Sequence, residues 1–265
     1  MSSRIKLVAG NWKMNLTSTE GKALVESLAP QCADRTDVDV VVCPTYLSIP
    51  RVREATRSSV VKLGAQDVFW MESGAYTGQI SAKMLYEAGC DYCIVGHSER
   101  RGRFGKLEVA ESTLPYFGET DETVSLKIKA LLFQGITPIL CVGESLTERE
   151  AGSTETAIET QLRGALAGLD AAEMYGMVVA YEPVWAIGTG KTCEQQEAER
   201  VCGFIRGVMA SLADSDVAAT TRVLYGGSVK ASNAAALFAQ PNIDGALVGG
   251  ASLDAVEFAS IIKSA

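Results

Sequence analysis

The 265-residue sequence predicts an α/β chain closed into a single (β/α)8 barrel, and three observations predict it. Eight short, β-branched, apolar runs recur at 6–10, 38–43, 60–65, 92–96, 137–142, 177–181, 222–225 and 245–248. They are apolar on both faces, as strands of a parallel sheet covered by helices must be. Polar, glycine-containing turns follow them, and helix-like stretches lie between them. Eight such units over roughly 250 residues is the size of a closed eightfold barrel. No Pro/Ser-rich linker or break in composition divides residues 1–265, so one domain is expected. A doubly wound open sheet is the alternative, but no G-x-G-x-x-G follows the first run.

The helices follow from their ends and spacing. The 18–28 stretch starts at a Ser/Thr cap signal and carries apolar residues at helical spacing. The 121–134 stretch opens with acids and stops before Gly135, which suits both ends of a helix dipole. The longest candidate is 192–212, and 232–239 and 253–263 close the chain.

Composition narrows the function classes. Hydrophobic residues make up 47% and charged residues 21%, which excludes a disordered chain. The formal net charge of −8 argues against a general affinity for nucleic acid or anionic membrane. No apolar run is long enough to span a bilayer, and Met1-Ser2-Ser3-Arg4-Ile5-Lys6 lacks a signal-peptide core, so a cytoplasmic protein is expected. Seven cysteines, an odd number, point to reduced thiols rather than a disulfide framework. Cys90 and Cys93 form one C-x-x-C, but a zinc site needs two more ligands and His97 is the sole histidine. Plain buried thiols and no metal are expected.

In such a barrel, chemistry gathers at the C-terminal ends of the strands. After the first strand, Asn11 and Lys13 flank Trp12 and point to one side in an extended chain. Lys13 is either a solvated loop lysine or a cation for an anionic substrate. After the fourth comes Gly96-His97-Ser98-Glu99-Arg100-Arg101. His97 is either structural or catalytic. With Ser98 as the cap of a helical turn, the local dipole would help to hold the ring neutral. After the sixth, Glu182 precedes Pro183 among Tyr181, Val184, Trp185 and Ile187. That apolar setting suggests desolvation and a raised pKa, as a general base requires, and a Gly-hinged lid behind it. A surface carboxylate is the plainer alternative. Gly190-Lys191-Thr192 is no P-loop, because Trp185 stands where that motif needs glycine. The glycine pairs Gly226-Gly227 and Gly249-Gly250 expose backbone N–H groups at the last two strand ends, where these barrels hold phosphate.

With these residues in view, the chain resembles the triosephosphate isomerase family. The likeness runs from Ala9-Gly10-Asn11-Trp12-Lys13-Met14-Asn15 to Val248-Gly249-Gly250-Ala251-Ser252. Its most specific pieces are the His97 and Glu182 segments and Tyr225-Gly226-Gly227-Ser228-Val229. The resemblance implies a cofactor-free isomerisation of glyceraldehyde 3-phosphate and dihydroxyacetone phosphate through an enediolate. It implies Glu182 as base, His97 as electrophile and proton shuttle, and Lys13 as the substrate-binding cation assisted by Asn11. Gly188, Ser228, Gly249 and Gly250 match the phosphate grip, and Ser98, Glu99 and Cys141 match supporting positions. The lid at 183–192 would exclude water; this family is itself a standard illustration of lid closure. The resemblance also implies a homodimer through the 66–81 loop, where Phe69, Trp70 and Tyr76 would otherwise form an unexplained apolar patch.

Two features depart from the family pattern. Gln79 stands where the family usually has Glu, which puts a charged contact to Arg100 in doubt. Residues 102–115 have no family counterpart and are expected to be a surface insertion near the dimer edge. That insertion brings Arg103, Lys106, Glu108 and Glu111, and Phe104-Gly105 echoes Phe117-Gly118. A short helical turn is expected over 106–112. A Schiff-base aldolase would need a strand-end lysine in the centre of the barrel, where Glu182 stands instead. A barrel that only binds partners would have no use for the Asn11, Lys13, His97 and Glu182 set.

Overall fold

A computed structural model describes residues 4–106 and 109–265. Eight parallel strands close into a barrel in chain order: β1 (Lys6–Asn11), β2 (Val38–Cys43), β3 (Val61–Ala65), β4 (Tyr92–Val95), β5 (Thr137–Val142), β6 (Val178–Tyr181), β7 (Arg222–Tyr225) and β8 (Gly245–Val248). All eight expected strands form, four with unchanged ends and four shifted by one residue at one end. Helices at Ser18–Leu28, Asp121–Phe133, Gln195–Leu212, Ala231–Phe238 and Ala255–Lys263 match the expected ones. The 192–212 candidate starts three residues late, because its first residues belong to the segment after β6. The turn expected at 106–112 lies partly outside the described residues, as does Glu108; a 3₁₀ turn forms instead at Glu111–Phe117.

Strand alternation sorts the apolar residues into two cores. Leu7, Ala9, Val41, Cys43, Tyr92, Ile94, Ile139, Cys141, Val178, Ala180, Leu224 and Leu247 fill the barrel interior. Their neighbours, such as Val8, Val40, Val179 and Val223, pack outward against helices. The inward parity positions the site. Leu7 and Ala9 lead to Asn11, and Val178 and Ala180 lead to Glu182, so both polar residues continue inward-facing rows into the barrel mouth. All seven cysteines are buried and free. Among the described residues, no cluster of three His, Cys, Asp or Glu side chains forms a metal site, and no helix is long and apolar enough to cross a membrane.

The barrel closes where Leu7 pairs with Gly245. Gly245 has φ +137°, and a Cβ there would lie 1.9 Å from the Leu7 carbonyl oxygen. Gly245→Ala is therefore strained and clashes with backbone that cannot move without opening the seam. The expected cost is about 2–3 kcal/mol of stability, read as a lower urea midpoint at unchanged slope.

Candidate functional site

Asn11, Lys13, His97, Glu182, Gly188, Ser228, Gly249 and Gly250 line one cavity of about 380 Å³ at the C-terminal mouth of the barrel. Eight residues proposed from five separate strand ends thus converge. Ser98 and Glu99 stand beside it. Cys141 does not reach it: its side chain is sealed in the barrel interior, where burial pushes the thiol pKa up.

Glu182 is 2% exposed, and its charge is met by donors from one loop. Oε2 accepts the Ser98 N–H at 2.9 Å, and Oε1 lies 2.9 Å from His97 Nε2. Burial pushes this carboxyl up, but His97, the Ser98 N–H and Lys13 together pull harder, so its pKa lies below the ordinary value. This corrects the raised pKa expected from the apolar setting. The apolar neighbours remove water, but donors from a loop about 80 residues earlier in the chain outweigh that loss.

His97 is also held differently from expectation. No helix begins at Ser98; residues 98–102 form turns, in which the Arg100 and Arg101 N–H groups donate to the His97 carbonyl. The ring's state is set by its two neighbours instead of a dipole. The Glu99 N–H donates to Nδ1 at 3.2 Å, so Nδ1 is an acceptor and the hydrogen of the neutral ring sits on Nε2, toward Glu182. Burial disfavours the imidazolium, but the Glu182 carboxylate and, less strongly, Glu99 raise the ring's pKa above its ordinary value. A second hydrogen at Nδ1 would point at the Glu99 N–H.

Lys13 has φ +52°, a left-handed conformation unusual for a side-chain-bearing residue. Two bonds hold it there. Its N–H donates to Asn11 Oδ1 at 3.1 Å, and its carbonyl accepts from Gln66 Nε2 at 2.8 Å. The ammonium meets Glu99 Oε1 at 2.5 Å. It crosses the mouth toward the glycine pairs: a Cβ on Gly249 would stand 3.8 Å from Lys13 Cε.

The two glycine pairs differ. Gly226 and Gly227 are demanded by packing, since added Cβ atoms would meet the Tyr181 carbonyl at 3.0 Å and the Tyr225 hydroxyl at 2.2 Å. At Gly250 an added Cβ meets nothing within 4 Å. Packing therefore does not explain Gly250, which opens a 3₁₀ turn beside the cavity and leaves its N–H groups accessible to an anion.

Glu144, two residues beyond β5, was missed from the sequence. It is fully buried and accepts from Trp185 Nε1 at 2.7 Å and the Tyr181 hydroxyl at 3.1 Å, so it anchors the segment after Glu182. Burial raises its pKa despite these donors, and its Oε2 has no partner. The signal was available, because Val142-Gly143-Glu144 is a strand end like the others. Gln161 was missed too. It grips both backbone polar groups of Gly143, at 2.8 and 3.0 Å, and its distance in sequence left no local sign.

A second cavity of about 350 Å³ borders Met14, Tyr46, Gln66, Gln79, Arg100 and Tyr116. Arg100 pairs within the chain with Asp67 at 3.0 Å.

The family profile described as triosephosphate isomerase matches residues 6–265. Proteins named triosephosphate isomerase are similar along the whole chain. That of Trichlorobacter lovleyi is 49% identical over 260 residues, 98% of each chain. That of Rhodopirellula baltica is 47% identical over 265 residues, 100% of this chain and 99% of the other. The crystal structure of triosephosphate isomerase from Bartonella henselae superposes with a TM-score of 0.83 at 34% identity, covering 98% of both chains. The cavity at the barrel mouth and these likenesses coincide in one conclusion: the chain belongs to the triosephosphate isomerase family.

Proposed function

We propose that the chain interconverts glyceraldehyde 3-phosphate and dihydroxyacetone phosphate in glycolysis and gluconeogenesis, as a cytoplasmic enzyme. The observation that carries the reading is the meeting of Glu182, His97 and Lys13 in one cavity with accessible glycine backbone at its rim.

The phosphate occupies the rim formed by Gly188, Ser228, Gly249 and Gly250, near the Lys13 ammonium. The carbonyl oxygen accepts a hydrogen bond from His97 Nε2–H, which until then faces Glu182. Glu182, relieved of that partner, removes the proton from the carbon next to the carbonyl. Of the influences on its pKa, burial alone pushes upward, so losing the His97 contact strengthens the base when it is needed. Negative charge then builds on the enediolate oxygens. The Nε2–H and Lys13 stabilise it, with Asn11 fixing the Lys13 backbone. His97 gives the Nε2 hydrogen to the former carbonyl oxygen and takes the hydrogen of the neighbouring hydroxyl, and Glu182 returns its proton to the former carbonyl carbon, so the carbonyl moves by one position and both catalytic groups are restored.

Ser98 and Glu99 act in support, one holding the carboxylate and the other directing the imidazole and the ammonium. Cys141 supports only by packing. Electrons balance within the substrate, so the reaction calls for no redox cofactor. The 183–192 segment serves as the lid that keeps water from the enediolate.

We take residues 1–265 as one barrel domain carrying an insertion at 102–115, and the working form as a homodimer joined through the 66–81 loop. What supports the dimer is the exposed apolar surface around that loop and beside the second cavity, including Met14, Leu47, Met71 and Tyr76.

Purified protein should convert glyceraldehyde 3-phosphate in a coupled assay for dihydroxyacetone phosphate, and a barrel that only binds partners should not. Glu182→Asp keeps the charge but retracts it by about 1 Å, and kcat is expected to fall on the order of 100-fold with KM little changed. Near-normal turnover would remove Glu182 from the role of base. Lys13→Met should abolish measurable turnover, whereas Ser228→Ala should act mainly on KM and on competition by inorganic phosphate.

The paired carboxylate also predicts a pH dependence of stability. The folded pKa of Glu182 lies below the 4.5 of an ordinary glutamate, so on acidification the unfolded chain takes up the proton first. The stabilisation is therefore full above about pH 5 and is lost as pH falls through the folded value. Urea titrations of wild type and Glu182→Gln should differ by a constant amount above about pH 5 and converge in acid. A gap that widens on acidification would contradict the direction of the shift.

A further inference from the structure

We propose that Arg103 and Gly105, in the 102–115 insertion, are positioning residues for the lid. The inference rests on the isomerase reading above and gives this part of the insertion a role in turnover, in place of the passive surface loop expected from sequence.

The contact is backbone to backbone. A Cβ added at Gly105 would lie 2.2 Å from the Ile187 carbonyl oxygen, 2.5 Å from that of Val184 and 3.0 Å from Thr189 Cγ2. Gly105 does not have a left-handed φ, so its backbone could carry another residue. Only the closeness of the lid demands glycine. The lid thus rests on the insertion at Val184, Ile187 and Thr189.

The support is itself fixed on three sides. The Arg103 guanidinium donates to both carboxylate oxygens of Glu148, at 2.8 and 3.0 Å, and to the Gly143 carbonyl at 3.3 Å. Such a two-pronged pair constrains direction as well as distance. Burial pushes the Glu148 carboxyl up, and Arg103 with the Ser145 N–H brings it below its ordinary value. The Arg103 N–H donates to the Ser98 carbonyl at 2.9 Å. The Phe104 ring stands edge-on to Phe117 at 5.4 Å.

Arg103 therefore ties together the loops that flank the base. Ser98 donates to the Glu182 carboxylate, and Gly143 packs so tightly on Glu182 that an added Cβ would lie 1.7 Å from its carbonyl oxygen. A cavity of about 310 Å³, bounded by Lys13, Glu99, Phe104, Gly105 and Ile187, lies between support and lid and shares Lys13 and Ile187 with the substrate cavity. A side chain at 105 would prop the lid away from both.

The test compares Gly105→Ala, Gly105→Val, Arg103→Ala and Arg103→Lys with wild type. The first readout, independent of activity, is hydrogen exchange of the lid amides at 184–189. Gly105→Val should speed it about tenfold or more while amides of the barrel strands keep wild-type protection. With glyceraldehyde 3-phosphate, kcat should fall by roughly 10- to 100-fold with KM changed less than about threefold. Inorganic phosphate released per turnover should rise as the exposed enediolate breaks its C–O bond and expels phosphate with the bonding electrons. Gly105→Ala should show smaller changes in the same direction, and it stands in if the valine variant does not fold. Arg103→Ala should lower kcat and Arg103→Lys should restore part of the loss, since lysine keeps the charge and one bond to Glu148. Wild-type lid exchange and wild-type kcat in the folded Gly105 variants would overturn the proposal. If the wild type itself fails to isomerise the substrate, the functional reading falls, and the exchange measurement still decides whether the insertion supports the lid.

Discussion

A carboxylate at Glu182 is kept charged where almost no water reaches it, and much of the site's construction answers that requirement. An isolated buried charge would be protonated or would destabilise the fold. Here the turn after β4 turns the Ser98 N–H and His97 Nε2 toward its two oxygens. Its own N–H donates to the Val142 carbonyl, and Gly143 provides a surface with no side chain against which its backbone can lie. Gln161 then holds Gly143 from behind. Glu182 is placed less by its own strand than by the two loops on either side. In the proposed reaction substrate takes the His97 contact from Glu182, which removes one of the pulls that lower its pKa.

The proposed recognition of a phosphate by a chain of net charge −8 needs a local solution, because the far field opposes an anion. Lys13 supplies one cation, already balanced by Glu99. On the proposed reading the rest would come from backbone N–H groups around the glycine-rich turns, which carry no net charge and need no counter-ion. The left-handed backbone of Lys13 costs on the order of 1 kcal/mol, held in place by Asn11 and Gln66. It carries the ammonium across the mouth to the rim near Gly249.

The insertion contributes on two sides of the same mouth. Arg103 and Gly105 meet the lid and the loops beside the base, whereas Tyr116, just past the insertion, borders the cavity next to Gln79 and Arg100. Arg100, whose charged contact across the interface Gln79 puts in doubt, pairs within the chain with Asp67. Extra chain at this point therefore touches the segment proposed as the lid and leads into Tyr116 beside the loop proposed to join the dimer, although its charge and length alone suggested a solvated surface loop.

The barrel and most of its site residues were legible in the sequence because they depend on near neighbours. Eight doubly apolar runs specify strands, and a period of two carries Asn11 and Glu182 into the mouth from Leu7 and Val178. Glycine pairs and a lone histidine stand out wherever a strand ends. What the sequence could not decide was any quantity set by the sum of opposing distant contributions. The apolar neighbours of Glu182 argued for a raised pKa, but its donors come from residues 97 and 98, and their balance against burial exists only once β4 and β6 lie in one barrel. Glu144 and Gln161 look like ordinary polar residues until Trp185 and Gly143 are set against them. Gly105 likewise reads as a turn glycine. Only the folded chain brings the lid, some eighty residues later, within van der Waals reach of it, and makes the absence of a side chain there a matter of space instead of backbone conformation.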